Sequence, residues 1–231
     1  MDRAECREVI AIRGSKSRSN PAGRLVLATL CLGVLIAQID TSVVNLAVEP
    51  IGAAFHAATT ELQWMLDAYN LVYAVLLLTG GLLADLYGRR RVFIVGAAVL
   101  AGASLVSAAA PDMAVLIAAR AAAGVGAALL LPASLAIVRV VWQDEVERGR
   151  ALGVWASCNG LAFVIGPSLG GLLITHFGWQ SVFLLVVPAG LAALVLAAAI
   201  VPESAAPKSR RFDAPGQALG AIVLGGLAFA A

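Results

Sequence analysis

Three ionisable side chains lie within the most apolar stretches of this sequence. Asp40 is found in "IAQIDTSVVN", Asp67 in "WMLDAYNL" and Arg120 in "LIAARAAAGVGAA". At the centre of a membrane-spanning helix, a charged group costs about 2.5 kcal/mol or more unless it is paired or faces water. Side chains kept there at that cost usually bind a substrate, bind ions or carry protons. These three residues are therefore the first candidates for function.

The composition places the chain in a membrane. Of the 231 residues, 61% are hydrophobic and only 13% are charged, whereas about a quarter are charged in an ordinary soluble domain. The three cysteines are widely separated, which indicates neither a disulfide framework nor a metal site. The chain has no serine nucleophile motif and no histidine within an apolar stretch, which argues against an intramembrane hydrolase. We expect no enzymatic activity, no cofactor and no nucleic-acid partner.

The apolar residues fall into six complete blocks and one incomplete block. A block of about 20 residues is the length that an α-helix needs to cross a bilayer. We therefore predict an all-α integral membrane protein with spans over residues 25–47, 62–84, 92–110, 113–138, 152–174 and 182–201.

These spans divide the chain into a tail (1–24), a six-helix transmembrane domain (25–201), a linker (202–214) and a seventh helix (215–231). Seventeen residues from Pro215 onward reach about 25 Å, less than the roughly 30 Å of the hydrocarbon core. We expect the seventh helix to be truncated. The first apolar run is longer than the core of a signal peptide, so we expect it to be retained as a helix.

The basic residues predict the orientation of the chain. Fifteen of the 16 basic residues fall in the tail and in the second, fourth and sixth connections between spans. Because cytoplasmic loops carry the excess of lysine and arginine, these segments are expected in the cytoplasm. The chain is predicted to be a multi-pass protein of the plasma membrane with a cytoplasmic amino terminus.

The sixteenth basic residue is Arg120, and its depth matches that of the two acids. A rise of 1.5 Å per residue places Asp40, Asp67 and Arg120 roughly 8 to 10 Å below the outer boundary of the hydrocarbon core. We therefore predict a compensating cluster in which one arginine leaves one carboxylate available for a proton. A purely structural salt bridge between helices is the alternative. The sequence leaves open whether Asp40 or Asp67 carries the proton.

The first helix is polar on two sides. At 100° per residue Gln38 and Asn45 lie within about 60° of each other, whereas Asp40 is about 160° from Gln38. Neither side suits lipid, so we expect this helix to be central in the bundle, with protein or water on both flanks.

Two segments resemble motifs of the major facilitator superfamily. The stretch "GGLLADLYGRRRV" is similar to the signature that joins its second and third helices, and the stretch around Arg120 is similar to its fourth-helix motif. The residues that match the loop signature are Gly81, Asp85, Gly88, Arg89 and Arg90.

Further segments resemble particular branches of that superfamily. In the fifth span, the motif associated with antiporters is matched by Gly153, Gly166, Pro167, Gly170 and Gly171. "IDTSVVNLA" and "WMLDAYNL" look like the first two helices of the fourteen-helix drug:proton antiporter branch, and residues 202–216 look like its link into the seventh helix.

The resemblance implies the six-helix amino-terminal half of a major facilitator fold, in which substrate binds near the midplane between two halves. It also implies a loop around Asp85 that clamps against the carboxy-terminal half, and a fifth helix that favours exchange. The implied function is proton-coupled efflux of drugs or other small lipophilic compounds, with the proton gradient as energy source. The implied partners are protons, a small-molecule substrate, the lipid bilayer and the missing carboxy-terminal half or another chain.

Candidates for lining the substrate cavity are Gln38, Asn45, Tyr69, Asn159 and Phe163. The alternative to a transporter is a truncated, non-transporting membrane fragment, or a half-transporter module that needs a partner chain.

Overall fold

The computed structural model describes residues 21–205 and, in the tail, residues 215–216, 219–220, 223 and 226. In the first of these ranges it consists of six helices, α1 (Pro21–Phe55), α2 (Thr59–Tyr87), α3 (Arg89–Ala108), α4 (Met113–Val141), α5 (Glu145–Phe177) and α6 (Gln180–Ile200). All six are long and apolar enough to cross a membrane, and the all-α membrane fold predicted from the sequence is confirmed.

The helices are longer than the predicted spans because they continue into polar sequence. Helix α1 has 35 residues and reaches about 52 Å, well beyond a hydrocarbon core of roughly 30 Å. Capping residues then determine where helices begin. The carboxylate of Asp112 accepts from the backbone N–H of Val115 at 2.8 Å, and Asp144 accepts from Glu147 N–H at 2.9 Å. Hydropathy marks the membrane-embedded part of each helix, whereas caps mark its ends.

Two layers of core side chains show that the helices alternate in direction. The first layer joins the start of α1 at Val26, the end of α2 at Ala84, the start of α3 at Val92 and the end of α4 at Val138. The second layer joins the end of α1 at Ile51, the start of α2 at Met65, the start of α4 at Met113 and the start of α6 at Val182. The arginine-rich connections after α2 and α4 therefore lie at the same end of the bundle, as the charge pattern predicts.

Helix α4 packs closely against α2 and α3 because glycines line both contacts. A methyl group on Gly80 of α2 would overlap the backbone carbonyl oxygen of Ala128. A methyl group on Gly96 of α3 would lie 2.8 Å from the carbonyl oxygen of Gly126. Small residues at such contacts let membrane helices approach backbone to backbone. This packing fixes the position of α4, which carries Arg120.

Helices α2 and α5 are the least buried of the six. Only four residues of α5 are buried, Ala151, Ala162, Gly166 and Gly170, while Leu78 of α2 and Val164 of α5 are 75% and 71% exposed. Both helices therefore turn an apolar face away from the rest of the described bundle.

Several predicted segments lie outside the described residues. These are residues 1–20 of the basic tail, residues 206–214 of the linker and most of the seventh helix. The described tail residues 215–216, 219–220, 223 and 226 are helical. The division of the chain into tail, transmembrane domain, linker and seventh helix stays a prediction.

Candidate functional site

The structure brings Asp40 of α1 and Arg120 of α4 into direct contact. Nη1 of Arg120 donates to Oδ2 of Asp40 at 2.5 Å, and the side chains of Arg120 and Asp40 are 2% and 0% exposed, respectively. The sequence places both residues at one depth, and helix packing turns them toward each other. Because water does not screen this salt bridge, the attraction between the two charges is large. Losing either partner leaves a buried charge without compensation.

Aromatic rings enclose the guanidinium of Arg120. Its Cζ lies 4.6 Å from the ring centroid of Tyr69 and 5.9 Å from that of Phe183. The hydroxyl of Tyr69 donates to the carbonyl oxygen of Ala37 at 3.2 Å, which holds the ring against α1. The sequence suggests Tyr69 as a residue of the substrate cavity, whereas the structure buries it over Arg120. Cation–π contacts of this kind stabilise an arginine that has lost its water.

Two atoms of the pair have no hydrogen-bond partner among the described residues. They are Oδ1 of Asp40 and Nε of Arg120, and both are fully buried. An unsatisfied buried polar atom in an otherwise close-packed bundle calls for an explanation, and a functional role is one. Asp40 therefore has one oxygen occupied by Arg120 and one oxygen available to another group.

Asp67 lies apart from this pair. It is exposed on α2, and no residue in the described part of the chain forms a salt bridge with it. The predicted cluster of three charges is therefore a pair in the structure, with Asp67 as the carboxylate that Arg120 does not neutralise. The reason is rotational, since Asp67 has a suitable depth but faces away from α4.

The second polar side of α1 contacts α5. Nε2 of Gln38 donates to Oδ1 of Asn159 at 2.8 Å, so two predicted cavity residues meet. Asn45 and Phe163, two other candidates for the cavity, are exposed and lie on the open side of α1 and α5. Helix α1 thus pairs with α4 on one side and with α5 on the other, as expected for a central helix.

The residues of the antiporter-like motif divide into two groups. Added methyl groups on Gly166 and Gly170 would lie 2.6 Å from Oγ of Ser42 and 2.5 Å from Cγ1 of Val43, so these glycines allow close contact with α1. Gly153 and Gly171 have no atom within 4 Å of such a methyl group, and Pro167 is exposed. One side of the motif packs against α1, and the other side is open.

The loop between α2 and α3 is held by an ion pair and a tight turn. Nη2 of Arg89 donates to Oδ1 of Asp85 at 2.9 Å, and both side chains are largely buried. Gly88 has a φ of +106°, which favours glycine. Gly81 faces α4, since a methyl group added to it would lie 3.6 Å from Cβ of Pro132. Most residues of the loop signature therefore belong to one local structure.

Glu203 is a residue of this loop region that sequence reasoning missed. Its Oε1 accepts from the backbone N–H of Arg90 at 3.3 Å, and its Oε2 lies 3.6 Å from Nε of Arg91. The backbone N–H of Arg89 also donates to the carbonyl oxygen of Ser204 at 2.9 Å. The segment after α6 therefore docks on the start of α3. The only sequence signal is the Pro-Glu-Ser triplet that follows the sixth span.

The family model of the Major Facilitator Superfamily matches residues 30–230. The chain belongs to the major facilitator superfamily. This match confirms the family predicted from the sequence.

Relatives within the superfamily are drug-resistance proteins. Multidrug resistance protein Stp of Mycobacterium tuberculosis is 37% identical over 206 residues, which cover 89% of this chain and 38% of Stp. Methylenomycin A resistance protein of Bacillus subtilis is 40% identical over 212 residues, with coverage of 92% and 45%. Multidrug efflux pump LfrA of Mycolicibacterium smegmatis is 40% identical over 199 residues, with coverage of 86% and 40%. The chain spans less than half the length of each of these relatives.

A solved transporter structure shares the fold. The crystal structure of the peptide transporter POT in complex with sulfate matches with a TM-score of 0.69 at 16% identity, over 89% of this chain and 44% of that chain. At this identity the likeness concerns the arrangement of helices alone.

A cavity of about 550 Å³ lies beside the loop between α2 and α3, among α2, α4 and α5. The charged residues Asp85, Arg89 and Arg139 and the aromatic residues Tyr73 and Trp155 line it. The indole N–H of Trp155 donates to Oγ of Ser134 at 3.0 Å, which fixes the ring on the cavity wall. Aromatic walls with a few polar groups suit a flat organic molecule.

Replacing Gly88 with alanine is expected to destabilise the chain by about 1–3 kcal/mol, because a residue with a Cβ is strained at positive φ. The new methyl group would also lie 2.6 Å from Oε1 of Glu203. Thermal unfolding of the purified chain in detergent measures the effect. Gly149→Ala is the control, since an added methyl group there meets no atom within 4 Å. Equal melting shifts for the two variants would contradict the prediction.

Proposed function

We propose that this chain forms the amino-terminal half of a proton-coupled efflux transporter for small lipophilic compounds. The transporter would lie in the plasma membrane with its amino terminus in the cytoplasm. The drug-resistance relatives support efflux as the direction. The observation that carries the proposal is the buried salt bridge between Asp40 and Arg120, with one oxygen of Asp40 unpaired among the described residues.

Asp40 is the acid best suited to couple proton binding to a conformational change. A proton drives a conformational change only if its binding free energy differs between the two conformations. The environment of Asp40 depends on how α1 packs against α4, because Arg120 is its hydrogen-bond partner in this structure. Protonation of Asp40 and its contact with Arg120 compete, since a neutral carboxyl no longer compensates the guanidinium. Separation of the two helices therefore removes the charge that Asp40 compensates, which links this contact to the conformation of the bundle.

Asp67 has a different role in this proposal. Its carboxylate is exposed on α2, so a change in the packing of α1 and α4 alters its surroundings little. An acid whose surroundings stay constant transmits little free energy between conformations. Its charge instead attracts cationic compounds to the open face of α2, where Asn70 is also exposed. We therefore assign the proton to Asp40 rather than to Asp67.

In this proposal, two polar regions of the protein bind the substrate. The cavity lined by Tyr73 and Trp155 receives flat lipophilic molecules near the loop between α2 and α3. The contact between Gln38 and Asn159 provides hydrogen-bonding groups further along α5, about one turn beyond Trp155. Alternating access requires a second half that packs against the open faces of α2 and α5. If a separate chain provides that half, this protein is a half-transporter module.

The test is proton-driven efflux with Asp40→Asn. In everted vesicles from cells that express the transporter containing this chain, Asp40→Asn is expected to abolish dye transport driven by the pH gradient. The asparagine is similar in size and its Oδ1 still accepts from Arg120, but the guanidinium charge loses its compensation. Size-exclusion chromatography of the variant therefore checks that the protein assembles before transport is compared. Dye movement down its own concentration gradient should persist, because that process needs no proton.

Asp112→Asn is the matched control. It makes the same chemical change at an exposed cap of α4, where asparagine also serves as a cap. Asp67→Asn should weaken the transport of cationic dyes more than that of neutral dyes. If vesicles with Asp40→Asn accumulated dye at the wild-type rate, Asp40 would not be the proton carrier.

A further inference from the structure

A second groove lies between α2 and α3, on the surface of the bundle beside the Gly88 turn. Its volume is about 320 Å³, and the residues that line it are Leu83, Tyr87, Arg91, Val92, Val95 and Leu129. Tyr87 and Val95 are 66% and 50% exposed. The groove is therefore open to whatever surrounds the bundle at this height, which in a membrane is lipid.

The groove is polar at one end and apolar at the other. Tyr87 is the last residue of α2 and Arg91 the third residue of α3, so both lie near the turn. Leu83 and Val95 lie one helical turn further from the loop, about 6 Å deeper. Leu129 lies at the deeper level, since the next residue, Leu130, contacts Gly96. Polarity thus changes along the helix axes as it does along a phospholipid, from head group to acyl chain.

The polar end has a positive charge available for an anion. The side chain of Arg91 is 77% exposed, and its only ion pair in the described part of the chain is a 3.6 Å contact from Nε to Glu203. In the described part of the chain neither Nη atom of Arg91 belongs to a salt bridge, and both lie on an exposed side chain that can bind phosphate. Arg89 is already paired with Asp85, and Arg90 and Arg91 together exceed the single charge of Glu203. The mouth of the groove therefore favours a ligand with a negative charge.

We propose that this groove is a binding site for an anionic phospholipid, with its phosphate on Arg91 and one acyl chain along Leu83, Val95 and Leu129. A free anion would leave the apolar floor empty, and an uncharged lipid would leave Arg91 unused. Basic pockets between membrane helices at the cytoplasmic surface bind lipid head groups. The cytoplasmic leaflet follows from the proposed orientation, whereas the site itself depends only on the groove and its charge.

The experiment measures which lipids the chain retains. The purified chain is placed in nanodiscs of equal phosphatidylglycerol and phosphatidylcholine, released into the gas phase, and analysed by native mass spectrometry. We expect preferential retention of phosphatidylglycerol, and a loss of about fivefold in that preference for Arg91→Gln, the effect of one basic residue near a membrane surface. Arg150→Gln is the control, because Arg150 is also exposed but lies on α5 away from the groove. An equal loss in both variants would overturn the proposal, since it would indicate general attraction to positive charge.

A second variant tests the acyl-chain part of the site without changing its charge. Val95→Trp fills the groove at an exposed position, and it should lower phosphatidylglycerol retention as much as Arg91→Gln does. Unchanged retention in Val95→Trp would overturn the proposal by showing that only the head group binds. Glycerol phosphate, added as a competitor, should displace no lipid. Displacement would also overturn the proposal, because the site would then bind free phosphate esters.

Discussion

Substituting Arg120 with alanine should lower the free energy of unfolding by about 3–5 kcal/mol, the usual cost of breaking a buried ion pair from one side. The carboxylate of Asp40 would keep its place in a site that is closed to solvent and would lose its partner. The ring of Tyr69 would also lose the guanidinium that it covers. The melting temperature of the purified chain in detergent measures this loss. It is determined from the fraction of protein that remains folded in size-exclusion chromatography after heating.

Two further variants separate charge from packing. Arg139→Ala removes an exposed arginine from the same helix and should change stability by less than about 0.5 kcal/mol. The double variant Asp40→Asn with Arg120→Gln keeps two side chains that hydrogen-bond without a charge, and it should recover much of the lost stability. Proton-driven efflux should not recover with it. If Arg120→Ala and Arg139→Ala melted at the same temperature, the pair would not stabilise the bundle.

The sequence predicts the six described helices and the common level of Asp40 and Arg120 because both depend on distance along a helix. Hydropathy blocks identify the spans, and the constant rise per residue places Asp40 and Arg120 at one level. The structure adds the direction in which each side chain points around its helix. For Asp67 that direction decides the outcome, since this carboxylate has a suitable depth and faces away from Arg120.

A signal for the direction of Asp67 is present in α2. Gly80 and Tyr69 are 11 residues apart and lie within about 20° of each other around the helix axis, on the side that packs against α4. Asp67 is 13 residues from Gly80 and therefore about 140° away. Taking the glycine as the marker of the packed side predicts an exposed Asp67. The glycine must first be known as a contact residue, which one sequence alone does not reveal.

Glu203 has no comparable signal in the sequence. Its contact with Arg90 joins residues 113 positions apart, and no periodic pattern connects the end of the sixth helix to the start of the third. The local sequence predicts only the ion pair between Asp85 and Arg89, which are four residues apart. The contact of Glu203, which holds this loop to the end of α6, becomes visible only when the helices are packed.

Replacing Gly80 with valine should disrupt the contact between α2 and α4 more than any other single glycine change in α2. Even a methyl group at this position would overlap the carbonyl oxygen of Ala128. Because the obstacle is helical backbone rather than a flexible side chain, α2 must move away from α4. We expect a loss of about 3 kcal/mol, at the upper end of the usual cost of overpacking. The fraction of the chain that remains monodisperse after heating in detergent measures this loss of stability.

Gly81→Val and Gly102→Val are the matched controls for this substitution. At Gly81 the nearest atom to an added methyl group is 3.6 Å away, and at Gly102 there is none within 4 Å. Both variants should melt close to the wild type, so equal losses in all three would indicate a general intolerance of valine. The contact at Gly80 also bears on function, because α2 carries Tyr69 and α4 carries Arg120. A separation of these helices by Gly80→Val should therefore reduce proton-driven efflux even in the fraction of protein that remains folded.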